Sequence, residues 1–427
     1  MTRPSFDHPD YARTAALLTR EAVRDTLVEM VDIASPTGRE AEFARYLVER
    51  MRASGCRAYL QDVSPGRPNA IAVMSGEGSG ESLLFTGHMD TSYDGDEEYL
   101  HAEGFKAKAI VRGDWIWGLG ANNMKSGLAS AVVAIEAMQR AGVRLAGDVL
   151  LGGVVGETEK APVEEFQSEA QAGYGVGTRY MVTHGVTADH AVLCEPTTLQ
   201  VCTANMGVSW FRITLGGTMA HSAWSARPGV VNAIAEMALL QPKIAAWAEQ
   251  YSARHVYMGE RPNVTVAAIR GGMPWRLSRN PWECSLYLDV RTVPGTTTEQ
   301  IRRSLRGVLR TFAQERGCAE PVLDCYVSDP ATDIGDAARI TQVMRAAHQQ
   351  VTGTDSPGLI RRPGADSTHL NRYDIPTLCY GPGGRSYPDS SGRQMHAVGE
   401  HVNIDDLLTA ARVYLAAAFA VCGRASG

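Results

Sequence analysis

The sequence is poor in lysine: five of its 41 basic residues are lysine, and the rest are arginine. It has no basic run, and a formal net charge of −6 with a pI near 6.0 argues against a nucleic-acid partner. Long apolar runs are missing too. The longest, such as 413–422, are too short to cross a bilayer, so no membrane partner is expected. The eight cysteines form no Cys-x-x-Cys pair and no regular framework, which argues against a zinc ribbon and suits a reducing, cytoplasmic compartment. Residues 1–10 carry no apolar signal region, so nothing there marks export. The spacings G-x-x-x-x-G-K-[ST] and G-x-G-x-x-G are also absent, which weakens a nucleotide reading of the glycine-containing stretch 117–127. What is present is a globular composition, 44% apolar and 21% charged, in a chain of 427 residues long enough for two or three domains.

Apolar spacing over 11–53 is helical, broken at Ser35-Pro36-Thr37-Gly38 by a turn and a fresh helix start. Short β-type runs at 58–63, 70–74 and 83–86 follow, then an irregular polar stretch at 92–113. The spacing predicts a helix over 124–141 and buried strands over 149–155 and 191–194. This alternation points to an α/β domain with a mostly parallel central sheet. Beyond 201 the order becomes strand 209–215, helix 230–251, strands 264–269 and 285–290, helix 298–316 and a last strand near 322. That is the split βαβ order of a ferredoxin-like sandwich. The α/β pattern resumes with helix 336–351, strand 377–380 and helix 404–422. The expected architecture is therefore a discontinuous α/β domain, 1–204 and 325–427, with 205–324 inserted into it.

Several short motifs carry candidate chemistry. Gly87-His88-Met89-Asp90-Thr91 follows the strand at 83–86, and a histidine there points into the crevice where α/β sheets bind ligands. Asp90 can orient the imidazole through its second nitrogen, as the outer partner of a metal-binding histidine does. Asn122 and Asn123 precede the helix at 124–141. Glu157, in Gly156-Glu157-Thr158-Glu159-Lys160, and Glu195, in Cys194-Glu195-Pro196-Thr197, stand after two further strands, where an acid can serve as general base or metal ligand. His396 lies in the stretch 394–400 ahead of the final helix. Each alone also reads as an ordinary loop histidine or surface acid; their order is the specific feature.

That order resembles the metallohydrolase family of aminoacylases, acetylornithine deacetylases, succinyl-diaminopimelate deacetylases and glutamate carboxypeptidase. The resemblance extends to Gly217-Thr218-Met219-Ala220-His221-Ser222, Asn263-Val264-Thr265, Gly364-Ala365-Asp366-Ser367 and Ile375-Pro376. It implies an inserted dimerisation domain, and with it a homodimer or higher homo-oligomer. It further implies His88 and Glu195 on one metal ion, His396 on a neighbouring one, and Asp90 behind His88. Glu157 would be the general base, His221 an oxyanion stabiliser reaching across a dimer, and Asn263 a substrate contact. An arginine among Arg291, Arg361 and Arg362 would grip a substrate carboxylate as a fork.

Two positions depart from the family pattern. Its metal-bridging aspartate falls on Asn123, and the second glutamate of its Glu-Glu pair falls on Thr158. A neutral amide does not neutralise charge between two cations and binds a divalent ion more weakly. The expectation is one loosely held ion (manganese, zinc or cobalt) on His88 and Glu195, with Asn123 or His396 completing the set; Glu159 is a candidate substitute at Thr158. Such a site favours a substrate that delocalises its own negative charge. The specific expectation is hydrolytic deamination of 5-nitroanthranilate to 5-nitrosalicylate and ammonia. The alternatives are an N-acyl amino acid deacylase or dipeptidase, and an inactive relative that only binds its ligand.

Overall fold

Leu83–His88 is buried along its whole length, and alternation divides its side chains: Leu83 and Phe85 join one apolar cluster, Leu84 another. A strand covered on both faces belongs inside a sheet with helices on each side. The computed structural model, which describes residues 8–158, 161, 163, 168–387 and 399–423, has this arrangement. On one face lie the helices Arg20–Val31, Lys125–Arg140, Arg339–Thr352 and Ile404–Cys422, through Met30, Leu128, Ile340 and Leu407. On the other lie Met181 and Val182 of the helix Val176–Thr183, with Leu370.

The central sheet includes, in order, Arg57–Ser64, Arg67–Met74, Val149–Val154, Leu83–His88, His190–Leu193, Thr377–Cys379 and Cys202–Asn205, and Leu359–Arg361 pairs with the last of these. The four strands from Val149–Val154 to Thr377–Cys379 are parallel, and the outer ones join antiparallel. The α/β expectation, with a mostly parallel central sheet, holds. Gly127 sets one close contact between helix and sheet. A methyl group there would run into the Cys194 carbonyl oxygen, so only glycine lets the first turn of Lys125–Arg140 lie against the chain leading to Glu195.

The chain divides into two compact units. The first comprises Met1–Ala204, Ile334–Arg361 and Ala365–Gly427; the second comprises Asn205–Asp333 and Arg362–Gly364. A boundary at 324/325 cuts through the strand Val322–Asp329, which belongs to the second unit's sheet. That sheet runs Val264–Gly271, Glu283–Thr292, Gly207–Gly216, Val322–Asp329, antiparallel throughout. Phe211, Ile213 and Leu286 pack beneath Leu240 and Phe312 of the helices Ala233–Arg254 and Thr298–Arg316. The first of these helices starts at Ala233, because Asn232 caps it by accepting from the Ile234 and Ala235 amides.

The expected irregular stretch 92–113 gives way at its end to the strand Ile110–Arg112. This joins Trp115–Trp117 and His401–Asn403 in a small separate sheet. Three-residue strands are too short to carry a readable alternation. Among the described residues, no helix is long and apolar enough to cross a membrane.

Candidate metal centre and active site

Neighbouring parallel strands end at one edge of the sheet. His88 closes Leu83–His88, while Glu157 and Glu195 follow the flanking strands Val149–Val154 and His190–Leu193. Sheet order therefore brings together residues far apart in sequence. His88 Nε2 lies 3.6 Å from Glu157 Oε2 and 3.8 Å from Glu195 Oε1. One ligand atom from each of the three lies within 4.8 Å of the others. Asn123, two residues before the helix Lys125–Arg140, sets its Oδ1 3.3 Å from the same His88 nitrogen, and the Asn123–Met124 peptide is cis.

The main-chain carbonyl of Asp90, rather than its carboxylate, meets the second nitrogen of His88, at 2.8 Å. With Nδ1–H donating there, Nε2 is left as the ligating atom. The nearer carboxylate oxygen of Asp90 is 3.7 Å from the ring, and the carboxylate is occupied elsewhere. It accepts from the Glu157 amide at 3.0 Å, the Thr158 amide at 3.1 Å, the Thr158 hydroxyl at 2.6 Å and the Thr37 hydroxyl at 2.8 Å. Asp90 thus ties the His88 strand end to the turn carrying Glu157. The hydroxyl oxygens of Thr158 and Thr37 also lie against each other. Asp90→Asn is expected to weaken divalent-ion binding about 10–100-fold, as loss of an outer partner does. Calorimetric titration with Mn²⁺ checks this, and wild-type affinity in the variant would make the link unimportant to the ligands.

The charges shift one another. Burial opposes protonation of His88, but the carboxylates of Glu157, Glu195 and Asp90 outweigh it and hold its pKa up at about 9. Burial alone would raise Asp90, yet His88 and the donors from Thr158, Glu157 and Thr37 keep it below the ordinary carboxylate range. Glu157 is pushed well above that range, first by burial and then by Glu195, Asp366 and Asp90, with His88 opposing. A carboxyl that holds a proton readily is suited to acid–base work.

Glu195 has two unlike oxygens. Its Oε2 accepts from Arg361 Nη2 at 2.9 Å, while its Oε1 is buried without a hydrogen-bond partner among the described residues. A buried carboxylate oxygen left open is costly unless something binds it. Here the open atom faces a histidine nitrogen, as a metal ligand would. His88, Glu195 and Asn123 therefore fit a divalent ion.

Sequence reasoning gave no role to Asp366 or Glu400 beside this centre, and read Lys125, at a helix start, as a charge balancing nearby acids. Buried Asp366, in the Gly364-Ala365-Asp366-Ser367 motif, accepts from the Thr178 hydroxyl at 2.5 Å and lies close enough to Glu157 to raise its pKa. Glu400 accepts from the amides of Asn122 at 3.1 Å and Asn123 at 2.8 Å, which holds the Asn123 loop. Lys125 is buried, with its ammonium donating to the carbonyls of Met30 at 2.9 Å and Ile33 at 2.6 Å. Burial lowers its pKa to about 7, with Glu400 and Asp32 opposing.

His221, Asn263, Arg291 and Arg362 belong to the second unit. Exposed His221 accepts from the Ala223 amide through Nδ1 at 3.2 Å. Exposed Asn263 accepts from the Arg291 amide through its carbonyl at 2.9 Å. Arg291 pairs with Asp289 at 2.9 Å, and Arg362 with Glu260 at 2.5 Å. His396, Glu159 and Lys160 lie outside the described residues.

The sequence description of "Peptidase family M20/M25/M40" matches residues 84–420. The chain belongs to this family. The M20 match extends to full-length relatives. N-formyl-4-amino-5-aminomethyl-2-methylpyrimidine deformylase of Halalkalibacterium halodurans is 24% identical, covering 94% of each chain. Acetylornithine deacetylase of Myxococcus xanthus is also 24% identical, over 95% of this chain and 99% of its own. Among solved structures, aminopeptidase PepT of Bacillus cereus shares the fold with a TM-score of 0.71 at 18% identity, over 95% of this chain and 99% of that one. A Staphylococcus aureus tripeptidase does so with a TM-score of 0.72 at 17% identity, with the same coverage. As an M20 chain, this protein is a metallohydrolase acting on non-ester C–N bonds.

Proposed function

We propose that this M20 hydrolase cleaves the C–N bond of a small carboxylate-bearing substrate at a centre holding one divalent ion, and that the substrate is 5-nitroanthranilate. Water replaces the aryl amine, giving 5-nitrosalicylate and ammonia. The observation that carries this reading is a pair of neutral side chains, Asn123 and Thr158, beside His88 and Glu157, with the Thr158 hydroxyl bonded to Asp90. His88, Glu195 and Asn123 would hold the ion, manganese, zinc or cobalt, with His396 the remaining candidate. Such an ion, when bound, lowers the pKa of water and offsets negative charge developing on the substrate. Glu157 accepts the proton of the attacking water and returns it to the departing nitrogen, and its raised pKa suits both transfers. The ring's para nitro group delocalises the charge that attack places on it. Arginines among Arg291, Arg361 and Arg362 are the candidates to grip its carboxylate and nitro groups, and Asn263 is the candidate for a further polar contact.

We further infer a homodimer in which His221 of one copy completes the site of the other. Its support is the edge strand Val264–Gly271, which leaves Val266 and Ile269 exposed at the end of the second unit's sheet. An open apolar edge of this kind is a template for pairing with another strand. Mixing inactive Glu157→Gln and His221→Ala chains tests it. Reassembly at equal amounts should restore about a quarter of wild-type turnover, since half the dimers are mixed and each has one complete site. No recovery would place His221 in its own chain's site or outside the chemistry.

A panel of 5-nitroanthranilate, N-formyl and N-acetyl amines and dipeptides, with metal content measured alongside, tests the substrate. Amide hydrolysis is the second reading, because the relatives named for deformylation and deacetylation match along more than nine-tenths of this chain. Turnover of the amides alone would overturn the aryl amine. Binding without turnover of any of them would favour the inactive relative.

A further inference from the structure

Arg361 ends the strand Leu359–Arg361, and its side chain is 9% exposed, against 1% for Glu195. Its Nη2 takes one oxygen of Glu195, and the oxygen left over lies 3.8 Å from His88 Nε2. Glu157 and the thiols of Cys202 and Cys379 are among the other polar groups that act on the guanidinium. Burial pushes both thiols up, Cys202 to about 11 and Cys379 further, so they are neutral at pH 7. The guanidinium cannot shed its charge as a buried lysine can. It is therefore a permanent cation bonded to a side chain that would hold metal.

We propose that Arg361 is a built-in cation that takes the place of a second metal ion's charge, holds Glu195 to one-oxygen ligation and limits the centre to a single, loosely bound ion. The inference rests on the one-ion reading above and supplies its cause. Glu157, Glu195, Asp90 and Asp366 are acids gathered at the centre, and Arg361 supplies a guanidinium, while Asn123 and Thr158 add no charge. Arg361 cancels one of the negative charges that would otherwise help to balance a second divalent ion away from water. Like charges separated by only a few ångströms in a partly buried site repel strongly, so Arg361 also loosens the ion that does bind.

The experiment titrates metal-free wild type, Arg361→Gln, Arg361→Met and Arg361→Lys with Mn²⁺ by calorimetry and counts ions per chain by elemental analysis. Arg361→Gln removes the charge together with the Nη2–Oε2 bond, because its side chain is shorter; it should bind Mn²⁺ at least about tenfold more tightly or take up a second ion. Arg361→Met, which preserves the packing of the stem, is the second neutral variant and should behave alike if Arg361→Gln does not fold. Arg361→Lys keeps the charge and should stay within about threefold of wild type. Unchanged or weaker binding in both neutral variants, with one ion on the wild type, would overturn the role of Arg361 and leave it as an orienting partner of Glu195. Two ions on the wild type, or none, would overturn the one-ion reading itself.

Discussion

Glu157→Gln should lower kcat by about 10²–10⁴-fold, the range expected when a general base is lost. Glu157 sits beside His88, and its pKa is raised by burial and by three neighbouring carboxylates, so its carboxyl can both accept and release a proton. Glutamine has nearly the same shape but can do neither. The Glu157 amide, which donates to Asp90, is unaffected by the change, so the turn should stay in place. Melting temperature should remain near wild type and KM should move far less than kcat. Steady-state kinetics on the best substrate of the panel, with a thermal melt of the same sample, checks both. Turnover within tenfold of wild type would remove Glu157 from proton transfer.

Arg67→Ala should destabilise the chain by about 3–5 kcal/mol, the cost of leaving a buried charge without its partner. Arg67 and Glu40 are 3% and 0% exposed and form a two-bond pair, Nη2 to Oε1 at 2.6 Å and Nε to Oε2 at 3.1 Å. A third donor of Arg67 reaches the Ala172 carbonyl at 2.9 Å. Replacing both partners by apolar residues of similar volume, Glu40→Leu with Arg67→Met, should recover most of the loss, because no charge is then stranded. Urea unfolding of the two variants checks the sign. A loss below about 1 kcal/mol in Arg67→Ala would mean that water or another cation reaches Glu40. Arg67 also lies under the turn before Glu157, where a methyl on Gly156 would meet its guanidinium at 2.6 Å. Its loss should therefore lower activity as well as stability.

Much of the centre was legible because strand ends and helix starts leave local marks. His88, Glu157 and Glu195 each follow a short apolar run, and Asn123 precedes an alanine-rich helix. The order of these motifs made the family recognisable, and the family match over residues 84–420 agrees. The roles of Thr37, Arg67, Asp366 and Glu400 were not legible. Thr37 reaches Asp90 across 53 positions, and Glu400 reaches Asn123 across 277. No periodicity links residues so far apart; their pairing depends on which strands lie side by side. Lys125 shows a related difficulty. A lysine opening a helix reads as a charge set among acids, whereas its ammonium here is bonded to two main-chain carbonyls.

The amino-acid sequence by itself determined the alternation of strands and helices, the change to a split βαβ pattern after residue 201, and the presence of neutral Asn123 and Thr158 among the motif residues. These are local properties, written in spacing and side-chain type. Only the tertiary structure decided that the Glu157 and Glu195 strands flank the His88 strand. It also decided that the Asp90 carboxylate serves the Glu157–Thr158 turn rather than the imidazole, and that Arg361 occupies one oxygen of Glu195. The reason is physical: a parallel sheet is assembled from strands joined by long crossovers, so neighbours at its edge are chosen by packing over the whole domain. The scarcity of lysine belongs to the first class of fact, and the burial of Arg361 against Glu195 belongs to the second.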